Sequence, residues 1–288
     1  MKIEKRTFIV SGGVLGSGLI LTPALSSSGL GLATVKNLLK AQAYVAILDK
    51  QAPPTQEFPE LSSSQTASSN SKSNSRVKYI AVNLVDVEMI ASAVEEVAAW
   101  TKETEAPLGG VIHCAGIGEL EQTIGGKGKL HTRKTWDITL AVNISGTFHL
   151  TCYALKHFVN VPREGSPTED GERGVVVMVS STVAHDGSAG QVAYAASKGA
   201  IRSMTLPMAR ELARYGIRVV TIAPGPFASP LTDRWPEKLA KSVNNEMILY
   251  PKRFGFPEEF ADTVQWILKT PYVNGESIKL TAGLRAKI

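Results

Sequence analysis

"SGGVLGSGLILTPALSSSGLGLATVKNLLKAQAYVAILD", Ser11 to Asp49, holds a glycine-rich turn, a helical pattern and a strand in that order. The glycine spacing occurs twice, as Ser11-Gly12-Gly13-Val14-Leu15-Gly16-Ser17-Gly18 and, less completely, as Ser27-Ser28-Gly29-Leu30-Gly31. Such a turn lets bare backbone approach phosphate oxygens where a helix N-terminus offers unpaired N–H groups and positive dipole. The residues downstream of each copy tell them apart. Gly18 runs into Pro23 and a serine triplet, whereas Gly31 opens an apolar-periodic helix and a strand ending at Asp49. An acidic residue about 20 positions beyond the turn is where ribose hydroxyls are accepted. Gly12-Gly13 and Ser28-Gly29-Leu30-Gly31 therefore read as one turn split by an insert over 14–26, either a true loop or an unspliced remnant. A carboxylate at Asp49 repels a 2′-phosphate, which selects NAD over NADP.

The same alternation continues to the end of the chain. Short aliphatic runs recur at Thr7–Val10, Ala43–Leu48, Val77–Val82, Gly110–Ile112, Gly174–Ser180, Arg218–Ala223 and Glu276–Leu280. Helical patterns lie between them, as in Val87–Lys102, where Ile90, Val94 and Val97 share a face, and in Ala193–Tyr215. Strands alternating with long helices imply parallel pairing in a doubly wound α/β sheet. The expectation is one Rossmann-type domain over 1–288, strand order 3-2-1-4-5-6 extended by a seventh strand. Residues 51–76, with the tract "SSSQTASSNSKSNS", read as a disordered surface loop, and 160–173 as an ordinary polar connection.

Composition excludes several classes. The 288 residues carry a net charge of +5 and 43% hydrophobic side chains, with no basic block, so nucleic acid is not an expected partner. Two cysteines, Cys114 and Cys152, make neither a disulfide framework nor a metal-ligand spacing, so no metal is expected. Val14–Leu25 is too short and too interrupted to span a bilayer, and no signal peptide is apparent. The expectation is an intracellular, soluble protein. The ending Ala286-Lys287-Ile288 is similar to a peroxisomal address, and a frayed tail explains it somewhat better.

The chemistry concentrates later in the chain. Ser181 follows the central strand, and Tyr194-Ala195-Ala196-Ser197-Lys198 opens the next helix, which puts Tyr194 and Lys198 one turn apart on one face. A phenol is a poor base at neutral pH, and a neighbouring ammonium lowers its pKa. Tyr194 can then exchange a proton with a substrate oxygen held by Ser181 while a hydride passes to or from a nicotinamide.

Ser11-Gly12-Gly13 with Gly29 and Gly31, His113-Cys114-Ala115-Gly116, Asn143, Ser181, Tyr194-x-x-x-Lys198 and Pro224-Gly225 together resemble the short-chain dehydrogenase/reductase family across nearly the whole chain. "NISGTFHL", "GQVAYAASKGAI", "PEEFADTVQWIL" and "NGESIKL" are similar to its branch of type-2 3-hydroxyacyl-CoA dehydrogenases. The resemblance implies an NAD-dependent oxidoreductase interconverting 3-hydroxyacyl-CoA and 3-oxoacyl-CoA, in a homotetramer, in the mitochondrial or peroxisomal matrix. It makes Tyr194 the acid/base, Lys198 its partner and ribose ligand, Ser181 the substrate-orienting hydroxyl and Asn143 the holder of a relay water. It assigns Gly12, Ser28, Gly29, Leu30, Gly31, Asp49, Asn83, Leu84, Cys114, Ala115, Gly116, Phe227 and Ser229 to the cofactor. His113 and Asn83 depart from the family's usual Asn and Asp. Two other readings remain open: a hydroxysteroid or other hydrophobic alcohol as substrate, with Leu231, Trp235, Leu239, Met247 and Leu249 lining its loop, and a catalytically silent scaffold subunit.

Overall fold

The computed structural model describes residues 1–12, 29–54, 56–59, 61, 75–163, 171–229, 232–233 and 235–285. Among these, seven strands form one parallel sheet: β1 (Thr7–Ser11), β2 (Tyr44–Asp49), β3 (Val77–Ala81), β4 (Leu108–His113), β5 (Gly174–Val179), β6 (Ile217–Pro224) and β7 (Ser277–Leu280). Their order is β3-β2-β1-β4-β5-β6-β7, the expected order with its seventh strand on the β6 edge. The inner strands β1, β4, β5 and β6 are buried at every position. Continuous apolar runs are what a strand covered by helices on both faces requires.

Each face has its own core. Phe8, Val10, Ile112, Val177 and Ile222 point to one side and pack on α1 (Leu30–Lys40) and, near the end of the chain, on Phe260, Val264 and Ile267. Ile9, Val111, Val176, Met178 and Val219 point to the other side. They pack on α2 (Val87–Glu103), where Asp86 accepts a hydrogen bond from the Met89 N–H as N-cap, and on the helix that carries Leu150, Ala154 and Phe158. That helix is built in three parts. After α3 (Arg133–Leu140), residues Ala141–Gly146 form a π-helical turn that runs without a break into α4 (Thr147–Phe158). The continuous run Arg133–Phe158 is long and apolar enough to cross a bilayer by length and composition, yet its apolar face is taken by the sheet. A short α5 (Val183–Asp186) and the long α6 (Val192–Leu212) follow β5; α7 (Glu237–Ser242) and α8 (Pro257–Lys269) precede β7.

Most strand and helix ends lie within one or two residues of the sequence reading, and two differences have a physical reason. Strand β4 begins two residues earlier and ends one later than Gly110–Ile112, because Leu108 and His113 also find ladder partners on neighbouring strands. The loop 51–76 is not wholly loose: Phe58 is 3% exposed in the core, Leu61 packs against it, and Glu57 pairs with Lys36 at 2.6 Å. One aromatic anchor offsets the ordering cost of the segment around it. The serine-rich part, the insert over 14–26 and the residues Ala286-Lys287-Ile288 lie outside the described residues.

Candidate active site

Ser181 sits two residues beyond β5. The Ser180 N–H donates to Ile222 O at 2.8 Å and the Ser180 hydroxyl to Lys198 O at 2.7 Å, which locks the strand end onto the first turns of α6. That contact brings Ser181 to Tyr194, whose phenol is hydrogen-bonded to the Ser181 side chain. Lys198, one turn further on, is 4% exposed; its ammonium donates to Val179 O at 2.8 Å and lies 5.7 Å from the Tyr194 ring centre. Burial lowers the Lys198 ammonium to about 8.

The expected depression of Tyr194 by Lys198 is not what the arrangement produces. Burial raises the phenol above its ordinary value, and only the Ser181 hydrogen bond pulls it down. The reason is geometric, since the ammonium is directed to the Val179 carbonyl. At neutral pH Tyr194 is therefore a phenol and a proton donor.

Asn143 comes from the π-helical turn and is 1% exposed. Its amide clamps Ile117 from both sides, Nδ2–H to Ile117 O at 2.8 Å and Ile117 N–H to Oδ1 at 2.9 Å. The second Nδ2–H goes to the Ser197 hydroxyl at 2.9 Å, and that hydroxyl donates to Tyr194 O at 2.8 Å. π turns recur where helices carry functional groups, because the extra residue reorients side chain and carbonyl. Asn143, Ile117, Ser197 and Tyr194 thus form one connected unit.

Three glycines supply the room. A Cβ at Gly118 would stand 2.9 Å from Cδ2 of Tyr194, and one at Gly116 would stand 3.1 Å from the Lys198 Nζ. A Cβ at Gly146 would meet Leu84 O at 2.7 Å, so this glycine lets the Asn83-Leu84 turn close on the Asn143 turn. Sequence reasoning missed Gly118, Gly146, Ile117 and Ser197. Ile117 and Gly118 directly follow the Ala115-Gly116 pair that the sequence singles out, whereas Gly146 and Ser197 act through contacts between distant segments.

The residues expected to hold a dinucleotide gather along the same edge of the sheet. Gly12 has φ +73° and its absent side chain lets it lie on Ala115, where a Cβ would meet the Ala115 nitrogen at 2.4 Å. Gly29 caps α1 without a capping side chain, and Leu30 and Gly31 form its first turn. Asp49 ends β2 at 9% exposure with Oδ1 accepting from the Gln51 N–H at 3.1 Å. Asn83-Leu84 follows β3. Cys114 contacts the Thr34 hydroxyl, and burial pushes its thiol up to about 12, so it is a neutral spacer. Ser229 bonds Thr232, and the Phe227 ring packs edge-on against Phe260 with centroids 6.2 Å apart, which places that ring in the core. Ser28 lies outside the described residues. Wherever the described residues reach, an uncapped helix start, a side-chain-free turn and a strand-end carboxylate fit a dinucleotide.

Of the five apolar residues expected around the substrate, Leu239 and Leu249 are exposed, and Trp235 stacks edge-on against Phe254 at 5.8 Å. Met247 packs near Val243, Ile248 and Leu284, and Leu231 lies outside the described residues. A separate cavity of about 440 Å³ lies between α2 and α4, lined by Val94, Val97, Leu108 and Val161, and none of the site residues borders it.

A family model for short chain dehydrogenase matches residues 25–240. The 3-hydroxyacyl-CoA dehydrogenase type-2 of Rattus norvegicus is 34% identical over 272 residues, covering 93% of this chain and 95% of that protein. Ipsdienol dehydrogenase of Ips pini is 30% identical over 290 residues, covering 99% of each. The crystal structure of 3-hydroxyacyl-CoA dehydrogenase type-2 from Mycobacterium avium superposes with a TM-score of 0.78 at 26% identity, over 100% of this chain and 99% of that one. With the Ser181, Tyr194, Lys198 and Asn143 geometry and a family match through most of the sheet, the chain belongs to the short-chain dehydrogenases and is an NAD(H)-dependent oxidoreductase.

Proposed function

We propose that the enzyme interconverts a 3-hydroxyacyl-CoA and a 3-oxoacyl-CoA. The observation that carries the chemistry is the half-buried Tyr194, its phenol hydrogen-bonded to Ser181 with the Lys198 ammonium one turn away. NAD(H), when bound, accepts or gives the hydride. Ser181 and Tyr194 present two hydroxyls to one substrate oxygen. In the reductive direction Tyr194 donates its proton to that oxygen, and in the oxidative direction it takes the proton back. Gly12, Gly29, Leu30, Gly31, Asp49, Asn83, Leu84, Cys114, Ala115 and Gly116 would line the cofactor, with Ser28, Phe227 and Ser229 completing it. Both Nδ2–H groups of Asn143 are already committed, so Asn143 would hold a relay water through an oxygen, as acceptor, and not through its N–H groups.

The substrate class rests on the two type-2 3-hydroxyacyl-CoA dehydrogenases that match over nearly the full chain. The full-length match to ipsdienol dehydrogenase supports a second reading, a small hydrophobic alcohol. A homotetramer is in keeping with the exposed Phe148 on α4, Leu206 on α6 and Trp266 on α8, and sedimentation tests it. A mitochondrial or peroxisomal matrix suits acyl-CoA oxidation and is tested by fractionation.

Purified enzyme with NADH and acetoacetyl-CoA should consume NADH at 340 nm, and Tyr194→Phe should lower kcat about 10²- to 10⁴-fold with the fold intact. Turnover of ipsdienol-type or steroid alcohols with none of the thioester would favour the second reading. Folded protein that turns over no alcohol would support the scaffold reading.

A further inference from the structure

At the carboxyl ends of β1 and β4, two buried polar atoms among the described residues lack a hydrogen-bond partner and stand side by side. Ser11 and His113 are register partners on these parallel strands. Their side chains share the face of Ile9 and Val111, over which α4 packs. Ser11 is 1% and His113 2% exposed, and neither Ser11 Oγ nor His113 Nδ1 has a partner. The other ring nitrogen is engaged: His113 Nε2 lies 2.8 Å from Thr151 Oγ1. The Thr151 hydroxyl spends its proton on Thr147 O at 2.8 Å, so in that bond the imidazole is the donor. The ring is therefore the neutral Nε2–H tautomer, and Nδ1 is a buried acceptor facing a neighbouring strand whose one spare donor is a hydroxyl. Leaving both unmade is costly, and joining them satisfies both.

We infer that His113 is a positioning residue: its Nδ1 accepts from the Ser11 hydroxyl through one buried water and ties the start of the cofactor turn to α4. The chain of bonds runs from Ser11 through His113 and Thr151 to the Thr147 carbonyl, one residue past the π-helical turn that holds Asn143. The segments it joins already touch, with Cys114 N–H donating to Ser11 O at 2.9 Å and Gly12 lying on Ala115. Ser11 precedes the turn and His113 precedes Cys114-Ala115-Gly116, so the link sets the spacing between the two backbones that flank the dinucleotide. This rests on the cofactor reading of that edge, not on the identity of the alcohol.

The test is ¹⁵N NMR of histidine-labelled enzyme, in which His113→Asn identifies the His113 signals among the five histidines. A protonated Nε2 and a hydrogen-bonded, unprotonated Nδ1 are expected, with Ser11→Ala moving Nδ1 to the position of a free acceptor. A protonated Nδ1, or an Nδ1 signal indifferent to Ser11→Ala, would overturn the proposal. The second measurement is NADH binding by fluorescence, which needs no substrate. Ser11→Ala and His113→Leu should each weaken NADH about ten-fold, the double variant no more than His113→Leu alone. His113→Asn keeps an acceptor near Nδ1 but does not reach Thr151, so it should recover part of the NADH affinity that His113→Leu loses. Additive losses, or an Asn variant as weak as Leu, would reduce His113 to packing. If the Leu variant does not fold, Ser11→Ala and His113→Asn carry the comparison. Unaltered enzyme that binds no NADH would remove the cofactor reading while the ¹⁵N result still judges the bond.

Discussion

Gly118 marks how closely Tyr194 is confined. A methyl group there would lie 2.9–3.3 Å from three atoms of the ring, which cannot bend away as a flexible chain end does. Gly118→Ala should displace the phenol and lower kcat about 100-fold with little change in melting temperature, whereas Gly126→Ala, with nothing within 4 Å, should leave both unchanged. Steady-state kinetics beside thermal melts separates the two. His113 carries a pH prediction. Its folded pKa is held down to about 3 by burial and by the nearby Lys198 charge, against about 6.5 when unfolded. Between these values the unfolded chain binds a proton that the folded chain refuses, so this contribution to stability is full above pH 6.5 and is lost as pH falls towards 3. From pH 7 to 4.5 the unaltered protein should lose about 2–3 kcal/mol more in urea titrations than His113→Asn. At this scale the Tyr194, Lys198 and Ser181 set was legible in the sequence, because spacing on one helix and the end of one strand define it. The direction of the Tyr194 shift was not, because it depends on where the Lys198 ammonium points.

Helix α6 carries Tyr194 and Lys198 in its first turns and tolerates change beside them. Gly199 is interior to the helix and partly exposed, and a Cβ there meets nothing within 4 Å. Gly199→Ala should raise stability by about 0.5–1 kcal/mol in denaturant titrations, since glycine loses more backbone freedom than alanine on becoming helical. The existence and order of the strands and helices followed from their alternating patterns, and helix α2 came within a residue of its expected ends. The π-helical turn was not legible, because no residue type in "LAVNISGTF" marks it and the extra residue shows only in how the backbone bonds. The ordered entry to the serine-rich loop was hidden for a related reason: composition averaged over the segment conceals the single anchor, Phe58.

A parallel sheet divides the molecule into two ends with different tolerances. Chemistry gathers where the strands finish, and the other end is held by structural pairs. There Arg218 and Glu172, each with an 8% exposed side chain, meet at 2.6 Å, and Arg218 also donates to Val273 O and Leu268 O. Glu172→Gln leaves a buried guanidinium without its counter-charge and should cost about 3 kcal/mol, read as a lower urea midpoint, with KM for NADH unchanged. A shift in KM would mean that the two ends communicate. The sheet order was legible because βαβ crossovers admit few arrangements, whereas the division of labour between the ends required the contacts themselves. A π turn is an α-helix with one residue bulged out, so removing one residue from Ala141–Gly146 would restore regular winding, leave Leu150, Ala154 and Phe158 facing the sheet and sacrifice only the contacts of the Asn143 turn. The irregularity at Asn143 is thus separable from the core beyond it, and what retains it is the use made of the Asn143 amide, not the packing of α4.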